Sequence, residues 1–83
     1  MNCKKDWVVY MVVCADGSLY TGITTDLERR LEEHNSSSFG AKYTRARRPV
    51  SLAFFENAES RSAASIREHA IKKMTRSQKL ALL

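Results

Sequence analysis

The first hydrophobic stretch of the chain, Trp7 to Cys14, is continuous, rich in valine, and bounded by Asp6 on one side and Ala15-Asp16-Gly17 on the other. A run of that length is too short for a typical helix and reads as a buried central strand. Ser18 to Ile23 returns as its hairpin partner. The loop between them decides where two tyrosines point. If Ala15, Asp16 and Gly17 form a three-residue loop with Gly17 in the left-handed region, Cys14 pairs with Ser18 and Tyr20 lies opposite Val12. Tyr10 and Tyr20 then share a face, which is the arrangement expected. A two-residue turn at Asp16-Gly17 would shift the pairing by one and separate them, because side chains alternate along a strand.

The hydrophobic period then lengthens to that of a helix. Thr25 followed three residues later by Glu28 is a capping-box pattern, and a helix from Asp26 to about Asn35 follows. At roughly 100° per residue, Leu27 and Leu31 mark its inward side. Arg30 and His34 flank that side one turn apart, while Glu28, Arg29, Glu32 and Glu33 point elsewhere. A cation drawn towards a core edge needs an anion, and on this reading no carboxylate shares its face. Ser36, Ser37, Ser38 and Gly40 mark a loop that leads through a basic stretch to Pro49. Val50 to Phe55 reads as a third strand. From about Glu59 to Lys73, Ala63, Ile66, Ala70 and Met74 recur at helical spacing and define an apolar face. Thr75 and Gln78 suggest a fresh cap and a short terminal helix running into Leu80 to Leu83. The order strand, strand, helix, loop, strand, helix, helix predicts an α+β fold, a small three-stranded antiparallel sheet flanked by helices.

Eighty-three residues, 43% hydrophobic and 28% charged, support one modest core. Residues 1–83 are therefore expected to form one domain that carries all the chemistry. Fourteen Lys and Arg against nine Asp and Glu leave a formal charge of +5, which favours a polyanionic partner. No acidic residue lies between Glu33 and Glu56, and Lys42, Arg45, Arg47 and Arg48 crowd around Tyr43. That stretch reads either as a phosphate-binding surface or as a solvated basic loop. Cys3 and Cys14 have no Cys or His neighbour at metal-ligand spacing, which argues against zinc and fits reduced thiols in cytoplasm. The apolar run after Lys4 and Lys5 is not a signal peptide, because Tyr10 interrupts it and no small-residue cleavage pattern follows. No stretch approaches the length of a membrane span, so no membrane partner is expected.

Three groups of residues, in order, carry a resemblance: Val8-Val9-Tyr10, then Tyr20-Thr21-Gly22 across one hairpin, then Asp26-Leu27-Glu28-Arg29-Arg30-Leu31 with His34. They resemble the two name-giving motifs and the following helix of the GIY-YIG nuclease superfamily. The resemblance runs on through Gly40-Ala41-Lys42-Tyr43-Thr44, Arg48-Pro49-Val50, and Arg67-Glu68 with Ile71-Lys72, so it covers nearly the whole chain. The fuller pattern is similar to the stand-alone, single-domain branch. The resemblance implies a site in which two tyrosines, an arginine and a glutamate surround a divalent ion, Mg²⁺ or Mn²⁺, and a scissile phosphodiester. By that correspondence Tyr10 and Tyr20 are the motif tyrosines, Arg30 is the arginine, His34 an accessory catalytic position, and Glu68 the metal carboxylate. Lys42, Arg45, Arg47, Arg48 and Lys72 are expected to contact nucleic acid, DNA before RNA.

These residue types suit the implied chemistry. A glutamate offers Mg²⁺ or Mn²⁺ a hard oxygen ligand. An arginine can grip phosphate oxygens bidentately, and Tyr20 can act as general base or orient the attacking water. Tyr10 would then bond that water or Tyr20. Free tyrosine has a pKa of about 10, and lowering it by two units requires about 2.7 kcal/mol, which the metal and Arg30 would have to supply. The chain also departs from the family pattern. Its first motif reads Val-Val-Tyr, Thr21 stands in the middle of the second, and no Asn follows Asn57, where many family nucleases carry one after the glutamate. The chain leaves no room for the additional DNA-binding domain of longer relatives, so a protein partner for targeting is also expected. Two functions stand side by side: a metal-dependent endonuclease, and a non-catalytic nucleic-acid-binding module on a nuclease scaffold. The joint presence of Tyr10, Tyr20, Arg30 and Glu68 favours the enzyme.

Overall fold

A computed structural model describes residues 6–36 and 41–83. An antiparallel hairpin, β1 (Trp7–Val13) and β2 (Leu19–Thr24), leads into α1 (Leu27–Ser36) and the short α2 (Lys42–Arg45). The chain then returns to the sheet as β3 (Ser51–Ala58) and ends in α3 (Arg61–Lys72) and α4 (Arg76–Leu80). The sheet order is β2-β1-β3 with both pairs antiparallel, the α+β arrangement that the element order anticipates. Ser37, Ser38 and Gly40, expected in a loop, lie outside the described residues, as does Cys3, while Ser36 closes α1.

The central position of β1 explains its unbroken apolar run. Val8, Tyr10 and Val12, with Cys14 just beyond the strand, pack with Tyr20, Leu27, Leu31 and Val50 on the side covered by α1. Trp7 and Val9 pack on the other side with Ala64, Ile71, Met74 and Leu82. A strand covered on both faces has no solvent side to alternate towards.

The hairpin takes the three-residue loop. Cys14 N–H donates to the Ser18 carbonyl at 2.8 Å, Gly17 N–H donates to the Cys14 carbonyl at 2.9 Å, and Gly17 has φ +85°. The Asp16 carboxylate braces the turn by accepting from the Ser18 N–H and hydroxyl at 3.0 and 2.6 Å. Val12 faces Tyr20 and Tyr10 faces Gly22, so both tyrosines lie on the α1 side.

Elsewhere the structure differs from the expected boundaries. The cap of α1 is Asp26, not Thr25: its carboxylate accepts the Arg29 N–H at 3.2 Å, and Thr24 Oγ1 accepts the Asp26 N–H at 3.1 Å. A carboxylate at the positive end of a helix outcompetes a neutral hydroxyl one residue earlier. β3 continues past Phe55 to Ala58 because it is an edge strand, where Glu56 and Asn57 can pair with β1 and still reach solvent. The largest correction is the phase of α3. Ile66 is 71% exposed, whereas Ala64 and Ile71 are fully buried. The inward line runs through Ala64, Arg67, Glu68 and Ile71. Arg67 reaches Glu56 of β3 at 2.8 Å and Glu68 pairs with Lys72 at 3.2 Å, so polar tips disguise the inward face. The cap of α4 matches the expectation: Gln78 N–H donates to Thr75 Oγ1 at 3.2 Å, and Thr75 N–H to the Gln78 side chain at 2.9 Å. No helix among the described residues is long and apolar enough to cross a membrane.

Candidate active site

The site begins with a missing side chain. Tyr10 on β1 stands opposite Gly22 on β2, and a Cβ at Gly22 would lie 2.6 Å from the Tyr10 hydroxyl and 2.8 Å from the ring carbon that bears it. Only glycine lets the phenol lie across the neighbouring strand. From there the hydroxyl reaches Nε2 of His34 on α1 at 2.6 Å. His34 Nδ1 sits 2.8 Å from Thr44 Oγ1 on α2, which in turn lies 3.0 Å from the Ala41 carbonyl. Tyr10 is 1% exposed, and His34 and Thr44 are fully buried.

Arg30, one turn before His34 on α1, lies beside the same phenol, close enough for its guanidinium to act on the phenol's ionisation. Its guanidinium is also gripped by Glu33 at 2.9 Å. The expectation that no carboxylate shares its face is therefore corrected, because a residue three positions on lies close enough for a long side chain to fold back. Arg30 in return holds the Glu33 carboxyl below the usual carboxylate range. Burial raises the Tyr10 phenol to about 12, with Arg30 pulling the other way. Burial also lowers His34 to about 4, aided by the positive charge of Arg30 and Arg48. Tyr10 consequently keeps its proton and His34 stays neutral at pH 7.

Tyr20 covers the outer side of this buried group. Its ring meets His34 edge-on, with centroids 5.3 Å apart, and stacks on Tyr43 at 5.9 Å and 24°. Arg47 lies over Tyr43 at 4.0 Å from the ring centroid, completing a ladder from buried imidazole to surface cation. Glu68 is close enough for its charge to act on the Tyr10 phenol. Tyr10, Tyr20 and His34 are thus in contact, with Arg30 beside them, while Glu68 on α3 pairs with Lys72. The Tyr10 hydroxyl itself does not emerge at the surface; it is turned inward to His34.

The basic residues divide into two kinds. Lys42 and Arg45 are exposed on α2. Arg47 donates to Asp16 at 3.1 Å and to the Tyr43 carbonyl at 2.9 Å, tying the hairpin loop to α2. Arg48 donates to the carbonyls of His34 and Glu33, satisfying the C-terminal end of α1. Lys72 is half-exposed and paired with Glu68. Sequence reasoning assigned no role to Thr44, although it closes the Gly40-Ala41-Lys42-Tyr43-Thr44 stretch that carries part of the family resemblance. It also missed Asn35, whose side-chain amide clamps the backbone of Val50 with bonds of 2.7 and 3.0 Å.

The model of the GIY-YIG catalytic domain matches residues 6–81. The chain belongs to the GIY-YIG family. A UPF0213 protein of Desulfotalea psychrophila is 52% identical over 100% of this chain and 82% of its own length. One from Haloquadratum walsbyi is 60% identical over 89% of this chain and 82% of its own. Two solution NMR structures are similar in fold. A UPF0213 protein from Bacillus halodurans has a TM-score of 0.59 at 42% identity, covering 93% of this chain and 81% of the other. An E. faecalis protein has a TM-score of 0.63 at 45% identity, covering 99% and 88%.

GIY-YIG membership gives the domain a nuclease-type scaffold and raises the question of a metal. Among the described residues no group of three His, Cys, Asp or Glu could cage an ion. A lone carboxylate still fits Mg²⁺ or Mn²⁺, which keep several waters and take phosphate oxygens from the substrate. Glu68 has the required chemistry, with a side chain 22% exposed and a field felt at Tyr10.

Proposed function

We propose that this GIY-YIG protein is a divalent-metal-dependent endonuclease that hydrolyses phosphodiester bonds in nucleic acid, with DNA the first substrate class to test. The observation that supports it best is the buried Tyr10–His34 hydrogen bond, with Arg30 beside the phenol, Tyr20 against the imidazole and the charge of Glu68 felt at Tyr10. Arg30 is 24% exposed at its side chain and held by Glu33, so its fork is oriented before a phosphate arrives. Tyr10 is a poor base: burial raises its phenol to about 12, and the His34 imidazole it bonds is itself held down by burial and by nearby arginines, so neither group readily changes its proton at neutral pH. Tyr10 therefore positions Arg30 and the site wall, and the task of taking a proton from water, or orienting it, falls to the more accessible Tyr20. Glu68 would hold the Mg²⁺ or Mn²⁺ ion, with Lys72 swinging aside. That ion supplies neutralisation of charge on the phosphate and on the leaving alkoxide. Lys42 and Arg45, which do not share the bracing duties of Arg47 and Arg48, would follow the backbone of the nucleic acid. In this reading 1–83 acts as one domain in the cytoplasm, and a protein partner supplies targeting.

The alternative, a non-catalytic nucleic-acid-binding module, has one observation in its favour: Glu68 is already paired with Lys72 at 3.2 Å. Incubating pure protein with labelled single-stranded, duplex and branched DNA and RNA, in Mg²⁺, Mn²⁺ or EDTA, separates the two. Cleavage that needs metal supports the enzyme. Binding with no cleavage on any substrate supports the module.

A further inference from the structure

Thr44 lies at the inner end of the buried line from Tyr10 through His34, and the hydrogens along that line can be assigned from that end. Ala41 offers only a carbonyl, which cannot donate, so the 3.0 Å approach to Thr44 Oγ1 requires the hydroxyl hydrogen to lie between the two oxygens. Thr44 has no second hydrogen on that oxygen. The 2.8 Å approach to His34 Nδ1 must then be a bond in which Nδ1–H donates and Oγ1 accepts. A neutral imidazole protonated on Nδ1 carries its lone pair on Nε2, and the 2.6 Å bond there is made by the Tyr10 hydroxyl donating to it. At the outer end the guanidinium of Arg30, which can only donate, lies beside the same phenol, an arrangement compatible with the Tyr10 hydrogen pointing to His34.

We propose that Thr44 is a positioning residue of the site: it fixes the Nδ1–H tautomer of His34, and through it the direction of the Tyr10 hydroxyl and the lone pair that Tyr10 presents to Arg30. The catalytic consequence rests on the nuclease reading; the tautomer does not. Without Thr44 Oγ1 the buried Nδ1–H has no acceptor, and the imidazole gains by moving its hydrogen to Nε2. Nε2–H then donates to the phenolic oxygen, where it competes with Arg30, and the Tyr10 hydrogen must turn elsewhere. Arg30 loses a partner that holds it for phosphate, although no group touching the substrate has been altered. Removing the hydrogen-bond partner that orients a metal-ligating histidine typically costs about 10- to 100-fold, and a loss of that order is expected for a histidine that orients the site wall.

The test is ¹⁵N-labelled protein observed through the long-range ring couplings of His34, in wild type, Thr44→Val and Thr44→Ser, with steady-state cleavage measured on the same samples. Wild type and Thr44→Ser should show His34 protonated on Nδ1, and Thr44→Val on Nε2. Cleavage by Thr44→Val should fall about 10- to 100-fold in kcat with KM little changed, and Thr44→Ser should restore it. His34 protonated on Nε2 in the wild type overturns the inference without any variant being made, even if Thr44→Val fails to fold. An Nδ1–H signal that persists in folded Thr44→Val overturns it too. Should the wild type cut nothing, the nuclease reading fails while the ring spectra still decide the role of Thr44.

Discussion

Acidification from pH 7 to 4 asks a buried imidazole to take a proton for which the fold has no place. His34 is fully buried, both ring nitrogens are in use, and its pKa is held at about 4 by burial and by the charges of Arg30 and Arg48, against an ordinary value of about 6.5. In the unfolded chain this ring gains its proton as pH falls through about 6.5, and in the folded chain only near 4. Between those values the unfolded state binds more protons, so stability falls as pH falls. A difference of about 2.5 pKa units corresponds to about 3 kcal/mol, against roughly 4 to 12 kcal/mol expected in total for a domain of this size. The carboxyls of Glu33 and Asp16, held low by Arg30 and by Ser18 respectively, lose their contributions only at lower pH. Urea titrations at half-unit steps, followed by Trp7 fluorescence, should show stability dropping by up to about 1.4 kcal/mol per pH unit between roughly 6.5 and 4.5. In His34→Gln that slope should vanish even if the whole curve lies lower. A wild-type curve flat from about pH 7 to 5 would refute the buried, neutral imidazole and everything built on it.

Gly22→Ala would place a Cβ 2.6 Å from the Tyr10 hydroxyl and should cost about 1–3 kcal/mol in urea unfolding; unchanged stability would mean that the phenol does not cross β2. Arg48→Ala removes the donors that satisfy the end of α1 and should lower stability by about 1–3 kcal/mol in thermal or urea unfolding. An effect on nucleic-acid affinity alone would instead assign Arg48 to the binding surface. Lys42→Ala combined with Arg45→Ala should leave stability nearly unchanged and flatten the logarithmic dependence of DNA binding on salt, by up to about 0.9 for each phosphate that is no longer neutralised. An unaltered slope would make α2 an ordinary solvated surface.

Most of the fold was legible because its signals are local. The valine run of β1, the Ala15-Asp16-Gly17 loop and the Thr75–Gln78 cap each depend on residues a few positions apart, and each appears in the structure as read. The phase of α3 was not legible, because its inward line passes through Arg67 and Glu68, and what turns those residues inward is β3 and the sheet. Glu33 was misjudged for a related reason: a helical projection places Cα atoms, whereas a long carboxylate side chain swings back to Arg30. At the site, Tyr10, Tyr20 and His34, picked out by motif spacing, come into contact, with no indication in the sequence that Tyr10 would be sealed in and held protonated. The role of Gly22 and the whole of Thr44 depend on distances between β1, β2, α1 and α2. Nothing in the order of residues along the chain encodes those distances.

Arg30 and Glu68 are proposed to act on one phosphodiester by different means, and single-turnover cleavage measured beside binding in EDTA separates their roles. With a labelled substrate that the wild type cuts in Mg²⁺ or Mn²⁺, Arg30→Ala should lose about 10²-fold or more in rate, as for other transition-state charge stabilisers. Glu68→Gln should abolish cleavage yet bind in EDTA as tightly as wild type or slightly better, having lost one negative charge near the polyanion. Glu68→Gln cutting at the wild-type rate, or a wild type that binds the full panel and cuts none of it in either metal, would contradict the account.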